Sequence, residues 1–157
     1  MSDAARGILI AGAGALARTD GLGPSLQTII GSIADQLGVG SAAIFILSGQ
    51  LDRLEIVASI GLGDAALAGL AEAVGNPGHP IARTIAAPVP SFDVLPTAPG
   101  GPALRSHLPL IVRRNGTDIV LGVLALAHDR PFDAETRLLL QAGADLAAVA
   151  IERHPLA

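Results

Sequence analysis

The stretch that decides the fold is Asp118–Asp129, "DIVLGVLALAHD". It is apolar throughout from Ile119 to Ala127. A strand with one wet face alternates polar and apolar residues, so a run that is greasy on both phases is covered on both faces and belongs at the centre of a sheet. A second run, "SAAIFILSG" at Ser41–Gly49, has the same character from Ala42 to Leu47. A sheet holding two such strands needs a cover on each side.

Working outward, "LRSHLPLIVRR" precedes the decisive stretch and joins it through Asn115-Gly116, a strong hairpin signal. After the first greasy run and a short Gln50–Arg53 connection comes "LEIVASIG". Leu54, Ile56, Ala58 and Ile60 there alternate with Glu55, Val57 and Ser59, as expected of a strand nearer an edge. "PVPSFDVLP" forms only a short edge strand, because Pro88, Pro90 and Pro96 cannot serve an interior ladder. "TAPGGPA" is a loop.

Helices fill the gaps. Leu26, Ile29, Ile30, Ile33 and Leu37 follow helical spacing, with Pro24 or Ser25 as the start and Gly38 as the stop. Asp64 is expected to cap a helix over Ala65–Val74, with Gly75 at its end. "NPGHP" then turns the chain into a short helix from Pro80 to Ala86. Asp133 caps a long helix running to about Arg153, which carries two apolar stripes and so implies two partners. One stripe is Leu138, Leu139, Ala142, Leu146 and Val149; the other is Leu140, Ala144, Ala147 and Ile151. No strand–helix–strand unit repeats, so the sheet is expected to be antiparallel, with the terminal helices on one face and Asp64–Leu104 covering the other.

Gly7–Ala17, "GILIAGAGALA", admits three readings. Its G-x-G-x-x-A pattern suits a dinucleotide turn, but that needs a second strand ending in an acid. The candidate, Asp35, lies in a segment of helical period. Ala15-Leu16-Ala17 suits a secretory cleavage site, but Asp3 offsets Arg6 and glycine dilutes the apolar run. Ala5, Ile8, Leu9, Gly12, Ala15 and Leu16 also share one face of a small-residue helix.

Bulk properties narrow the function. The 157 residues are 50% hydrophobic and 15% charged, which is a folded composition. Net charge is −4, and the ten basic residues, all arginine, are scattered, which argues against nucleic acid. With no cysteine there is no thiol nucleophile, disulfide or Cys-based metal site. The aromatic residues are Phe45, Phe92 and Phe132, few rings for gripping a flat ligand. No apolar run approaches the roughly 20 residues that span a bilayer, so the expectation is no membrane partner and a cytoplasmic location.

The order of these elements resembles the GAF domain, a small sensory module of signalling proteins. "SLQTIIGSIADQLGVGSAAIFILSG" is similar to the family's opening helix and first strand. "LRSHLPLIV", "VLGVLALAHDRPFDAET" and "LLLQAGADLAAVAIER" are similar to its last hairpin and closing helix. One departure is that the family commonly places more residues between the positions matched by Ser106 and Pro109. The resemblance implies an α+β fold of the PAS/profilin-like kind. Its antiparallel central sheet would have five to six strands, with N- and C-terminal helices on one face and short helices and loops roofing a cavity on the other. It implies one domain over residues 1–157, with an N-terminal helix at about 3–19 and a core at about 24–153. It also favours the helical reading of Gly7–Ala17, whose glycines would offer close approach to the closing helix and a second subunit.

Residues that would line the implied cavity are His79, Arg83, Asp93, Arg105, Ser106 and His107, with Phe92 as an apolar wall. The helix start at Pro80, with Arg83 one turn along, would offer N–H groups to a carboxylate or phosphate. Plainer roles stand beside these: His79 as a cap, Arg83 facing solvent, Asp93 stabilising a turn. Strand alternation puts Arg105 and His107 on one face and Ser106 on the other, so one set at most meets the cavity. No metal is expected, since the histidines lack H-x-x-x-H or H-E-x-x-H spacing. No cofactor is expected either: bilin attachment in such domains usually uses a cysteine, haem through His79 or His107 has no local signature, and the N-K-x-F-D-E pattern that helps cyclic-nucleotide binding is missing. Methionine sulfoxide reduction on this fold also uses cysteines, and no hydrolase, phosphate-loop or kinase motif appears. The expected function is a non-enzymatic sensor that binds an unidentified small molecule and signals through its terminal helices as a homodimer to a kinase, cyclase or transcription module. The alternative is a dimerisation or protein-interaction module without a ligand.

Overall fold

The computed structural model describes residues 3–8, 10, 21–48, 53–95 and 104–153. Residues 3–8 are helical (α1); the remainder of the expected N-terminal helix, apart from helical residue 10, lies outside the described residues, as does "TAPGGPA". There follow α2 (Leu22–Leu37), β1 (Ser41–Ser48), β2 (Arg53–Ile60), α3 (Asp64–Ala73), α4 (Pro80–Ala86), β3 (Ser91–Val94), β4 (Leu104–Arg114), β5 (Thr117–His128) and α5 (Ala134–Arg153). The five strands form one antiparallel sheet in the order β2-β1-β5-β4-β3, with greasy β5 in the middle and β1 beside it.

Each face carries its own core. On one, Leu26, Ile29, Ile30 and Ile33 of α2 and Leu140, Ala144, Ala147 and Ile151 of α5 bury against Ile44, Leu108, Leu110 and Leu124 of the sheet. Ile8 of α1 joins this cluster. On the other face, Val74 after α3 and Ile81 of α4 close over Ala43, Phe45 and Val123. This two-sided burial is the physical demand of the two greasy strands. Among the described residues no helix is long and apolar enough to cross a membrane.

Local chemistry explains the boundaries. Gly38 ends α2 in the left-handed conformation at φ 66°, and the Asn115-Gly116 turn has φ 52° and 76°, the two positive values of a type I′ hairpin. Asp133 accepts the Thr136 N–H at 2.8 Å to open α5, which holds its carboxyl below the usual range. Three expectations need correction. Helix α2 begins at Leu22, ahead of Pro24, because a first-turn proline lacks only an N–H that would be orphaned anyway. Asp64 is the first residue of α3 and not its cap, which is Gly63. The alternation of β2 breaks at Val57: Ile44 pairs Ala58 while Phe45 pairs Ile56, so one extra residue bulges. The bulge sends Leu54 and Ile56 to the α3–α4 side and Ala58 and Ile60 to the α2–α5 side.

Candidate ligand cavity

The small side chains of two central strands open a space under the short helices. Across the sheet, Ser41 pairs Ala127 and Ala127 pairs Arg105; one step along, Ala43 pairs Ala125 and Ala125 pairs His107. Directly opposed residues share a face, so a patch floored by Ala43, Ala125 and Ala127 ends in Arg105 and His107. Further along the same face Phe45 and Val123 fill the interior. Where alanine replaces such bulk, a cavity of about 470 Å³ remains, walled by Leu62, Leu70, Ile81 and Val94 and reached by His79 and Arg83.

The turn before α4 positions two of these groups. Asn76 Oδ1 accepts the Gly78 N–H at 2.9 Å, and the Asn76 carbonyl accepts the His79 N–H at 3.0 Å. His79 then caps α4, its Nδ1 accepting the Ile81 N–H at 3.2 Å. The ring's other nitrogen therefore carries the hydrogen in the neutral form. Burial lowers the His79 pKa. Ile81 and Thr84 are buried and pin α4 to the sheet, which leaves exposed Arg83 at the cavity. His107 is only 5% exposed. Its pKa is lowered to about 4, first by burial and then by the charges of His79 and Arg105, so it is neutral at pH 7. Among the described residues, the lining contains two arginines and two histidines and no carboxylate.

The seven residues expected at the cavity divide. His79, Arg83, Arg105 and His107 come together there. Phe92, Asp93 and Ser106 do not; they build a joint between β3, β4 and the start of α5. Asp93, at φ 58°, accepts the Phe132 N–H at 3.1 Å and an Arg137 N–H at 2.7 Å, while the Arg137 guanidinium lies 4.9 Å from the Phe92 ring centre. The Asp93 N–H donates to Ser106 Oγ at 3.2 Å. Ser106 Oγ also lies 2.8 Å from His128 Nε2, and His128 Nδ1 lies 2.7 Å from the Arg130 carbonyl. A carbonyl only accepts, so Nδ1 donates to it and Nε2 accepts the serine hydroxyl. The His128 and Phe132 rings stack at 3.8 Å. The reason is phase: Ser106 follows Arg105 and precedes His107 on a strand whose side chains alternate. Ser106 and His128 have the spacing of a nucleophile and its base, but Ser106 is 0% exposed and both nitrogens of His128 are engaged. This is a structural joint. His128 and Arg137 were missed by sequence reasoning, because their partners lie across the sheet and no local spacing marks them.

Residues 22–151 match the family model of the GAF domain. Among solved structures, the chain resembles the GAF domain of an Acinetobacter phosphoenolpyruvate-protein phosphotransferase, with 18% identity, TM-score 0.74, and 98% of this chain and 95% of that one covered. The GAF domain of a putative sensor histidine kinase from Pseudomonas syringae pv. tomato follows at 17% identity and TM-score 0.67, covering 96% and 88%. The free methionine-R-sulfoxide reductase of Neisseria meningitidis shares the fold at 15% identity and TM-score 0.69, covering 97% and 92%. No curated protein matches the sequence. The chain belongs to the GAF domain family, the sensory and regulatory domains of signalling proteins.

Proposed function

We propose that this GAF domain is a non-catalytic sensor that binds a small molecule between the sheet and α3–α4 and signals through its terminal helices as a cytoplasmic homodimer. The observation that carries the reading is the cavity of about 470 Å³ on the sheet face opposite α2 and α5, apolar over most of its wall with a few convergent polar groups. A collapsed, filled interior at this place would have favoured a bare dimerisation module. The output is a population shift: a ligand that prefers one packing of α3 and α4 changes how the helices beyond the sheet pair. A kinase, cyclase or transcription module is the expected recipient. Native mass spectrometry of the purified protein tests the reading, with a co-purified small molecule expected in wild type and lost in Ala125→Phe, which fills the floor. Retention of the same molecule in the filled variant would remove the cavity as its site.

A further inference from the structure

Resting on that reading, we infer that His107 and His79 are the cavity's recognition pair, and that the ligand they select is an uncharged aliphatic molecule with a hydroxyl or amide head. Five polar side chains are buried among the described residues: Ser25, Thr84, Ser106, His107 and His128. Four of them are satisfied inside the protein. Ser25 donates to the Gly21 carbonyl at 2.9 Å and Thr84 to that of Pro80 at 2.9 Å, while Ser106 and His128 meet each other at 2.8 Å. The His107 ring has no hydrogen-bond partner among the described residues. Native structures seldom leave a buried polar group in that state, because its lost hydration goes uncompensated. His107 pairs with Ser91 on β3 and Ala125 on β5, and it borders two hollows at once. One is the cavity of about 470 Å³; the other, of about 400 Å³, is lined by Thr84, Val89 and Ser91. The ring therefore faces space that a bound molecule fills, not packed protein.

The two imidazoles offer opposite halves of a hydrogen-bonding pair. His79 Nδ1 is occupied by the Ile81 N–H, so its Nε2–H is the hydrogen it has left to give. Neutral His107 has one nitrogen that accepts. Burial first, and then the charges of His79 and Arg105, keep it neutral at pH 7. A hydroxyl completes both, its oxygen accepting from His79 and its hydrogen going to His107; a primary amide does the same with its carbonyl and its N–H. A carboxylate only accepts and an ammonium only donates, so each leaves half of the pair unmet. The body of the ligand is aliphatic: among the described residues the lining has no phenylalanine, tyrosine or tryptophan on which a flat ring could stack. Its direction follows the floor. From His107 on β4 the path runs over Ala125 on β5 and Ala43 on β1 to Leu62 and Leu70 at the far wall. Two strand spacings set that path at roughly 10 Å, the reach of a medium-length alkyl chain.

Calorimetric titration of the whole chain with 1-octanol and octanamide tests this, with heptyl methyl ether, octanoate and octylammonium for comparison. The ether matches octanol in size and accepts a hydrogen bond without donating one. Octanol and octanamide are expected to bind saturably and about tenfold tighter than the ether or either ion, the scale of a buried group left unpaired. His107→Leu should bring octanol down to the affinity of the ether. His79→Asn, which keeps a capping side chain for α4 but withdraws the imidazole donor, should weaken octanol about tenfold as well. Ring nitrogen shifts of His107 in the wild-type protein give a readout that depends on no variant: octanol should move the accepting nitrogen and the ether should not. Equal binding of octanol and the ether, or an alcohol preference that survives His107→Leu, overturns the inference while keeping the cavity as a site. Octanoate binding tighter than octanol overturns the uncharged head. Failure of every probe overturns the inference too, and together with a ligand-free native mass spectrum removes the sensor reading as well.

Discussion

At the residue scale, the tightest constraint is Gly122. A Cβ there would sit 1.9 Å from the Phe45 carbonyl oxygen, which is backbone and cannot move aside. Gly122→Ala is therefore expected to cost about 2–3 kcal/mol, read from urea denaturation. Gly143 is the contrast: its Cβ would meet the tip of Ile33 at 2.8 Å, a side chain able to shift, and alanine favours the helix by about 1 kcal/mol. Gly143→Ala should fall within about 1 kcal/mol of wild type, since repacking and propensity oppose each other. His107 sets a pH dependence. Unfolded, it titrates near 6.5; folded, burial and its cationic neighbours bring it to about 4. Between these values the unfolded chain holds a proton that the folded chain lacks, so stability is lost as pH falls through that window. The loss is about 3 kcal/mol when complete. Calorimetric melting from pH 7 to pH 4.5 should show this slope, and His107→Asn should flatten it.

At the element scale, α5 carries a stripe of exposed apolar surface. Its stripe of Leu140, Ala144, Ala147 and Ile151 is buried against α2 and the sheet. In the other stripe Leu138 is 72% and Val149 43% exposed. If the sensor is a homodimer, this stripe is where the second copy sits. The double variant Leu138→Glu with Val149→Arg is expected to be a monomer by light scattering, at an unchanged melting temperature for the isolated fold. A dimer that survives the change would move the interface elsewhere. The edge strand β2 shows a different solution to exposure. The Gln27 amide pairs with Ser59, donating to its carbonyl at 2.7 Å and accepting its N–H at 3.2 Å, so a helix side chain occupies part of the open edge.

At the scale of the whole molecule, the cavity and the α5 stripe lie on opposite faces of one sheet, and β4 and β5 belong to both layers. Coupling between them is reciprocal by thermodynamic necessity. A small molecule seated in the cavity should change the dimer dissociation constant by the same factor by which dimerisation changes its affinity, about fivefold or more if the domain signals. Sedimentation with and without the small molecule that co-purifies measures one arm of the cycle, and calorimetry on the monomeric variant measures the other. Equal dimer constants would leave a binding site with no output. What the sequence determined by itself was everything carried by short-range pattern: both greasy strands, the Asn115-Gly116 hairpin, the stop at Gly38, the Pro80 helix and the antiparallel layering. Those features depend on neighbours three or four residues away. Only the tertiary structure decided which side chains share a face. The bulge at Val57, the alanine floor and the departure of Phe92, Asp93 and Ser106 from the cavity all follow from register between strands distant in the chain. A single inserted residue reverses that register while leaving each strand's own pattern intact.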